Sequence, residues 1–76
     1  MNRDGFLERL NELMNLPKGT VQGAELLSTL SGWDSVALMG FIAFLDEDFG
    51  VRVTGRQVIQ SNSVEDLIAL AGDKIR

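Results

Sequence analysis

The segment from Ser35 to Phe49 constrains the fold more than any other part of this chain. Its apolar residues recur at the spacing of one helix face. This stripe consists of Leu38, Ile42, Leu45 and Phe49, and Phe41 widens it. Asp34 is a suitable N-cap, and Gly50 suits the position just past a helix end. The sequence therefore predicts a helix over 35–49.

Three further segments also predict helices. "RDGFLERLNELM" follows Asn2, and either Asn2 or Asp4 is suited to cap it. "TGRQVIQ" opens on Thr54 with Gln57 three residues later, which is the spacing of a capping box for a short helix. In "RDGFLERLNELM", the apolar stripe comprises Phe6, Leu10, Leu13 and Met14, with Leu7 beside it.

The last helix follows Ser63, with Asp66 at the third position of a second capping box. Lys74 and Arg76 lie near its end, where positive charge complements the helix dipole. The residues expected to face inward are Val64, Leu67, Ile68, Ala71 and Ile75, and other expected core residues are Val53, Val58 and Ile59.

The stretch from Asn15 to Asp34 contains no long periodic segment, although "AELL" at 24–27 suits a short helical turn. We expect an ordered crossover with apolar anchors. These anchors are Val21, Leu26, Leu27, Leu30 and Trp33. The prediction is an all-α single domain over 1–76, a small bundle of three main helices plus one short helix with a long ordered first loop.

Composition excludes several classes of function. The 76 residues include no cysteine and no histidine, which removes disulfides, thiolate and Ser-His-Asp catalysis, and most zinc sites. The net charge of −4 disfavours binding to nucleic acid and to anionic membranes. No apolar stretch is long enough to span a bilayer. We expect a cytoplasmic monomer that is not an enzyme and has no metal site.

The predicted helix over 35–49 has a second apolar face. Opposite the core stripe lie Val36, Gly40, Ala43 and Glu47, with Met39 and Phe44 on the flanks. A solvated face is normally polar, so this face is either covered by another part of the chain, for which the first loop is the candidate, or docks a partner. Both alternatives stay open on the residues alone.

Ser35 lies in the first turn of that helix, where free backbone N–H groups favour a negative group. No histidine is present to deprotonate Ser35, and Asp34 is a poor base for an alkanol, so Ser35 is not a self-activated nucleophile. It is either an ordinary residue beside a cap or a residue that another protein modifies.

"GWDSV", "LDEDFGVRV" and "SVEDLIALA" together resemble the acyl carrier protein family over nearly the whole chain. The resemblance implies that Ser35 carries covalent 4′-phosphopantetheine, installed from coenzyme A by a magnesium-dependent phosphopantetheinyl transferase. It implies that Asp34 helps to position the transferase's metal. It further implies that the thiol of the arm holds acyl or aminoacyl groups as thioesters.

The resemblance also implies a partner-binding face formed by Val36, Met39, Gly40, Ala43 and Glu47. Members that serve fatty acid synthesis usually have acidic residues where Ala37 and Gly40 stand, whereas this chain keeps acids only at 46–48. We therefore expect acyl-loading and acyl-processing partners that recognise an apolar patch.

Because the chain opens at Met1 and begins its first helix almost at once, we expect a stand-alone acyl carrier in a specialised lipid, polyketide or secondary-metabolite pathway. The alternative is an unmodified helical protein-interaction module with a carrier-like fold.

Overall fold

The computed structural model describes residues 1–75, and within this range it is helical with no strand. The helices are α1 (Arg3–Leu13), α2 (Ser35–Phe49), α3 (Gly55–Ile59) and α4 (Val64–Leu70). Short 3-10 helices cover Leu27–Thr29 and Gly72–Lys74. The predicted all-α bundle of three longer helices and one short helix is confirmed.

The last helix ends earlier than its apolar pattern suggests. Lys74 lies in the 3-10 helix that follows α4, and Arg76 lies outside the described residues. Ala71 and Ile75 still pack on the core from beyond the helix end. No helix between residues 1 and 75 has both the length and the apolar character needed to cross a bilayer.

Local hydrogen bonds at the helix ends match the caps expected from the sequence. The Asn2 side chain accepts from the backbone N–H of Gly5, so Asn2 and not Asp4 caps α1. Complete capping boxes open α3 and α4, in which Thr54 pairs with Gln57 and Ser63 with Asp66. Each helix start is therefore specified by residues within its own first turn.

The core centres on aromatic rings from α1 and α2. Phe6 is fully buried, and its ring centroid lies 6.0 Å from that of Phe41 and 5.6 Å from that of Phe44. Phe49 completes the group at 6.3 Å from Phe6. These spacings suit edge-on and tilted aromatic packing, which adds to the free energy gained by burial. The two longest helices are thus joined by one aromatic cluster.

The buried face of α2 is rotated by about one residue from the predicted stripe. Its buried residues are Ala37, Phe41, Phe44 and Leu45. Leu38, Ile42 and Phe49, predicted as the centre of the face, are only half-buried. Phe44 is covered at least in part by α1, since Phe6 packs on it and the Arg9 guanidinium lies 5.1 Å from its ring centroid. Other elements contact α2 on several sides, so its buried surface is wider than one apolar stripe. Hydrophobic periodicity alone does not locate the centre of that surface.

The first loop is ordered, as predicted, through a buried polar side chain of α1. Asn11 is 1% exposed, and its Oδ1 accepts from the N–H of Val21 at 3.0 Å. Its Nδ2 donates to Glu8 Oε1 at 3.2 Å, and that oxygen also accepts from the N–H of Gly19 at 2.9 Å. An unpaired buried amide would be costly, so these bonds fix the loop against α1.

The later part of the loop is bound to the start of α4. The N–H of Leu27 donates to the carbonyl of Asn62 at 2.9 Å, and the N–H of Val64 donates to the carbonyl of Glu25 at 3.0 Å. These bonds flank an isolated antiparallel bridge between Leu26 and Ser63. The loop is therefore a structural part of the bundle.

The Glu25 carboxylate organises the turn that precedes this bridge. It accepts from the N–H groups of Gln22 at 2.9 Å and Gly23 at 2.8 Å. Burial raises the pKa of Glu25, but the backbone donors, led by Gly23, outweigh it and lower the pKa overall. The ionised carboxylate is consequently the form that fits the fold.

Two residues predicted to face the core are exposed instead. Leu26 is 53% exposed, because its backbone pairs with Ser63 and the adjacent Leu27 takes the inward place. Ile59 is 72% exposed, since α3 is only five residues long and Val58 fills its inward position. The short helical turn also lies later than predicted, at Leu27–Thr29 rather than 24–27.

Candidate functional site

Ser35 is the first residue of α2, and its side chain is exposed to solvent. The capping bond is made by the preceding residue: Asp34 Oδ1 accepts from the N–H of Ala37 at 2.9 Å. The carbonyl of Asp34 accepts the first helical bond, from Leu38 at 2.9 Å. The cap thus orients the turn and leaves Ser35 exposed, so a modifying enzyme can reach it.

The electrostatic field at this helix start favours an anion. An α-helix concentrates the equivalent of roughly half a positive charge at its N-terminus, where several backbone N–H groups lack helical partners. The first turn of α2 contains no acidic residue, although the capping Asp34 lies next to it. A phosphodiester on Ser35 would be compatible with this environment, so the exposed hydroxyl and its surroundings fit the phosphopantetheine group.

The two residues before Asp34 are held against the body of the protein. The Trp33 ring is half-buried, with its centroid 6.1 Å from that of Phe41 in an edge-on arrangement. This confirms the prediction that Trp33 is an anchor. Gly32 has a φ of 90° and lies against the backbone of Met14 at the end of α1. The sequence pattern contained no signal for that second contact.

The outward face of α2 carries two large apolar side chains. Val36 is 76% exposed and Met39 is 68% exposed, and both follow Ser35 on the same helix. Ala43 and Glu47 are exposed further along. The structure thus brings four of the five predicted partner-binding residues to the surface.

Gly40, the fifth, has a different environment. It is half-buried, and a Cβ placed there would lie 2.9 Å from Leu13 Cδ2 of α1. A side chain at this position would require the flexible end of the Leu13 side chain to shift. This contact favours glycine in the middle of α2, where its helix propensity is poor.

Sequence reasoning missed one exposed apolar side chain outside α2. Ile59, expected in the core, is exposed on α3, and α3 packs against α2. At the far end of α2, Asp46, Glu47 and Asp48 are exposed, and Arg52 Nε lies 3.7 Å from Asp46 Oδ1. Apolar side chains therefore lie near Ser35 and acidic side chains lie at the opposite end of the helix.

Two carboxylates at the start of α4 have lowered pKa values. A hydrogen bond from Arg3 lowers the pKa of Glu65. The backbone N–H of Asn62 makes the largest contribution to lowering the pKa of Asp66. Both carboxylates hold the start of α4 in place, so their contacts indicate a structural role.

A family model described as "Phosphopantetheine attachment site" matches residues 6–71. The match begins within α1, includes Ser35 and extends beyond α4. No curated protein and no solved structure shows significant similarity to the chain. The matched range covers most of the sequence and coincides with the helical bundle. The chain therefore belongs to the phosphopantetheine attachment site family, whose domains are carriers with a site for covalent 4′-phosphopantetheine.

Proposed function

We propose that Ser35 is the attachment residue and that the chain presents acyl or related groups to partner enzymes. The observation that carries this proposal is the exposed hydroxyl at the start of α2, within the matched range. When attached, the arm supplies a thiol that holds the cargo as a thioester. The chain itself contributes the anchoring oxygen and a surface for recognition.

Attachment needs an external enzyme, because the chain offers no base for the Ser35 hydroxyl. The Asp34 carboxylate is used as a helix cap, and the sequence has no histidine. Transfer from coenzyme A forms a bond between Ser35 Oγ and phosphorus and breaks the pyrophosphate bond. The adenosine bisphosphate part of coenzyme A leaves, and the hydroxyl proton passes to a base of the transferase.

Asp34 is proposed to serve the same transfer. Its cap bond to Ala37 uses Oδ1, and the carboxylate is exposed. Its second oxygen is thus available to the magnesium ion that the transferase brings. Carboxylate oxygens are ligands that Mg²⁺ prefers. Capping and metal positioning are compatible roles for one carboxylate.

Partner enzymes are proposed to bind the outward face of α2. Val36 and Met39 provide its apolar part, with Ala43 and Glu47 beyond them. Gly40 contributes only its backbone. An exposed apolar patch is typical of a protein-binding surface.

The composition of α2 is the basis for a further proposal. The chain acts as a separate carrier in a specialised pathway for lipids, polyketides or secondary metabolites. Ala37 is buried and Gly40 packs on Leu13, so these positions serve packing where fatty acid carriers usually have acids. The remaining acids lie at 46–48, and Arg52 lies near Asp46. Partners of this chain would accordingly rely less on basic residues near Ser35.

The proposal is tested by incubating the purified chain with coenzyme A, magnesium and a promiscuous phosphopantetheinyl transferase, followed by intact mass measurement. We expect the mass of one phosphopantetheine to be added to the wild type and none to Ser35→Ala. Ser31→Ala is the matched control, since Ser31 is also exposed and precedes the same helix. Absence of any mass gain with several transferases would favour an unmodified interaction module.

A further inference from the structure

Gly32 is held where a residue with a side chain would fit only if the backbone moved. Its φ of 90° lies in the left-handed region that side chains disfavour. A Cβ at this position would overlap the carbonyl oxygen of Met14 and lie 3.2 Å from both the Met14 carbonyl carbon and Cβ. The overlapping atom is backbone, not the mobile end of a side chain. Any larger residue must therefore move the loop or the end of α1.

Only two residues separate this contact from Ser35, and each is fixed by its own contact. The Trp33 N–H donates to the carbonyl of Leu30 at 3.4 Å, and its ring packs on Phe41. Asp34 is fixed by its bond to Ala37. The segment 32–35 is thus anchored successively to α1, to the aromatic core and to α2. A displacement at Gly32 therefore strains the contacts of Trp33 and Asp34, which set the position of the Ser35 hydroxyl.

We propose that Gly32 and Trp33 are positioning residues for phosphopantetheine transfer, acting through the orientation of Ser35. This inference rests on the proposed function. Transfer requires the hydroxyl oxygen to meet the phosphorus of coenzyme A in a defined geometry, and a misplacement of about 1 Å can reduce a rate by about 10²-fold. The docking surface at Val36 and Met39 lies on α2, beyond the displaced segment. The effect should therefore fall on turnover more than on binding.

The first test compares Gly32→Ala with Gly50→Ala as substrates of a phosphopantetheinyl transferase. Gly50 has a similar left-handed backbone, with a φ of 67°, but a Cβ there would have no neighbour within 4 Å. Both variants therefore carry backbone strain, and only the first meets α1. We expect kcat for Gly32→Ala to fall by about 10²-fold with KM little changed, while Gly50→Ala stays near the wild-type values.

The single tryptophan reports directly on the segment. Trp33 is the only tryptophan in the sequence and is half-buried against Phe41. We expect its fluorescence emission to shift to longer wavelength in Gly32→Ala, because displacement of the segment exposes the ring. Emission from Gly50→Ala should match the wild type.

A stability control separates positioning from general loosening. Val64→Ala removes part of a fully buried side chain of α4, far along the chain from the segment 32–35. Each variant is assayed at a temperature where circular dichroism shows that it is folded. If Val64→Ala loses kcat to the same extent as Gly32→Ala at a matched loss of thermal stability, the positioning role is wrong.

Wild-type turnover in Gly32→Ala would also overturn the inference while leaving the proposed function intact. Failure of the wild type to be modified at all would instead contradict the proposed function. If Gly32→Ala does not fold, Trp33→Ala decides, because it removes the ring contact without adding backbone strain. A lower kcat with little change in KM supports positioning by this segment, and unchanged kinetics reject it.

Discussion

The α1–α2 half and the α3–α4 half of this bundle are stabilised by different kinds of contact. Phe6 joins α1 to α2 through a buried ring that meets three phenylalanines of α2. The shorter helices α3 and α4 each bury few side chains and open with complete capping boxes. The difference shows that the helix bearing Ser35 rests on dense packing, whereas the other half depends more on local hydrogen bonds.

The largest expected effect comes from removing the central ring. Phe6→Ala should lower the free energy of unfolding by about 3–5 kcal/mol, because it creates a cavity at the contact between α1 and α2. Urea denaturation followed by circular dichroism measures the change. Ile59→Ala is the control, since this exposed side chain should change stability by only about 0.5 kcal/mol or less. Similar losses from both variants would contradict the comparison.

Removing a cap should have a smaller and more local effect. Ser63→Ala removes the acceptor for the N–H of Asp66 and should cost about 1 kcal/mol. Native-state hydrogen exchange should show faster exchange in the amides of α4, with those of α2 protected as before. Ser28→Ala, at another exposed serine, should leave both helices unchanged. Equal acceleration in α2 would show that the two halves open together.

Acid should have the smallest effect, a loss of stability at the start of α4 and in the loop that is bound to it. Glu25, Glu65 and Asp66 have lowered pKa values in the folded protein, so their contributions are present above the ordinary values of 4.5, 4.5 and 3.8 and are lost as pH falls through the lowered ones. The free energy of unfolding should therefore decrease below about pH 4.5, measured by urea denaturation across a pH series.

Two substitutions sharpen this acid dependence. Glu65→Gln removes the partner of Arg3, and Asp66→Asn removes a titrating group while retaining an oxygen for the capping bond. Each should flatten the fall in stability between pH 5 and pH 3, because one fewer carboxylate takes up a proton on unfolding. A pH dependence identical to the wild type in both variants would show that other groups govern acid sensitivity.

Features set by neighbouring residues in sequence were predictable. The bounds of α2, the cap at Asp34 and the left-handed Gly50 all follow from signals within a few residues, and the structure confirms them. The capping boxes of α3 and α4 are confirmed for the same reason. Local hydrogen bonds depend on spacing alone, so a sequence pattern is sufficient to locate them.

Features set by distant parts of the chain were not predictable in the same way. The rotation of the buried face of α2, the exposure of Ile59 and the role of Asn11 depend on which elements meet in three dimensions. Hydropathy marks Ile59 as a core residue, but it carries no information on the length of α3 or on the competing position of Val58. The contact of Gly32 with Met14 likewise depends on tertiary geometry.

The bridge between Leu26 and Ser63 also bears on the order of folding. All of α2 and α3 lie between its two residues in the sequence. Forming the bridge therefore costs the entropy of closing a long loop, and only a few main-chain hydrogen bonds offset that cost. Contacts of this kind form late, after nearby segments have already become helical. In a refolding experiment, the amides of this bridge should be the last to gain protection from hydrogen exchange. On unfolding they should be the first to lose it.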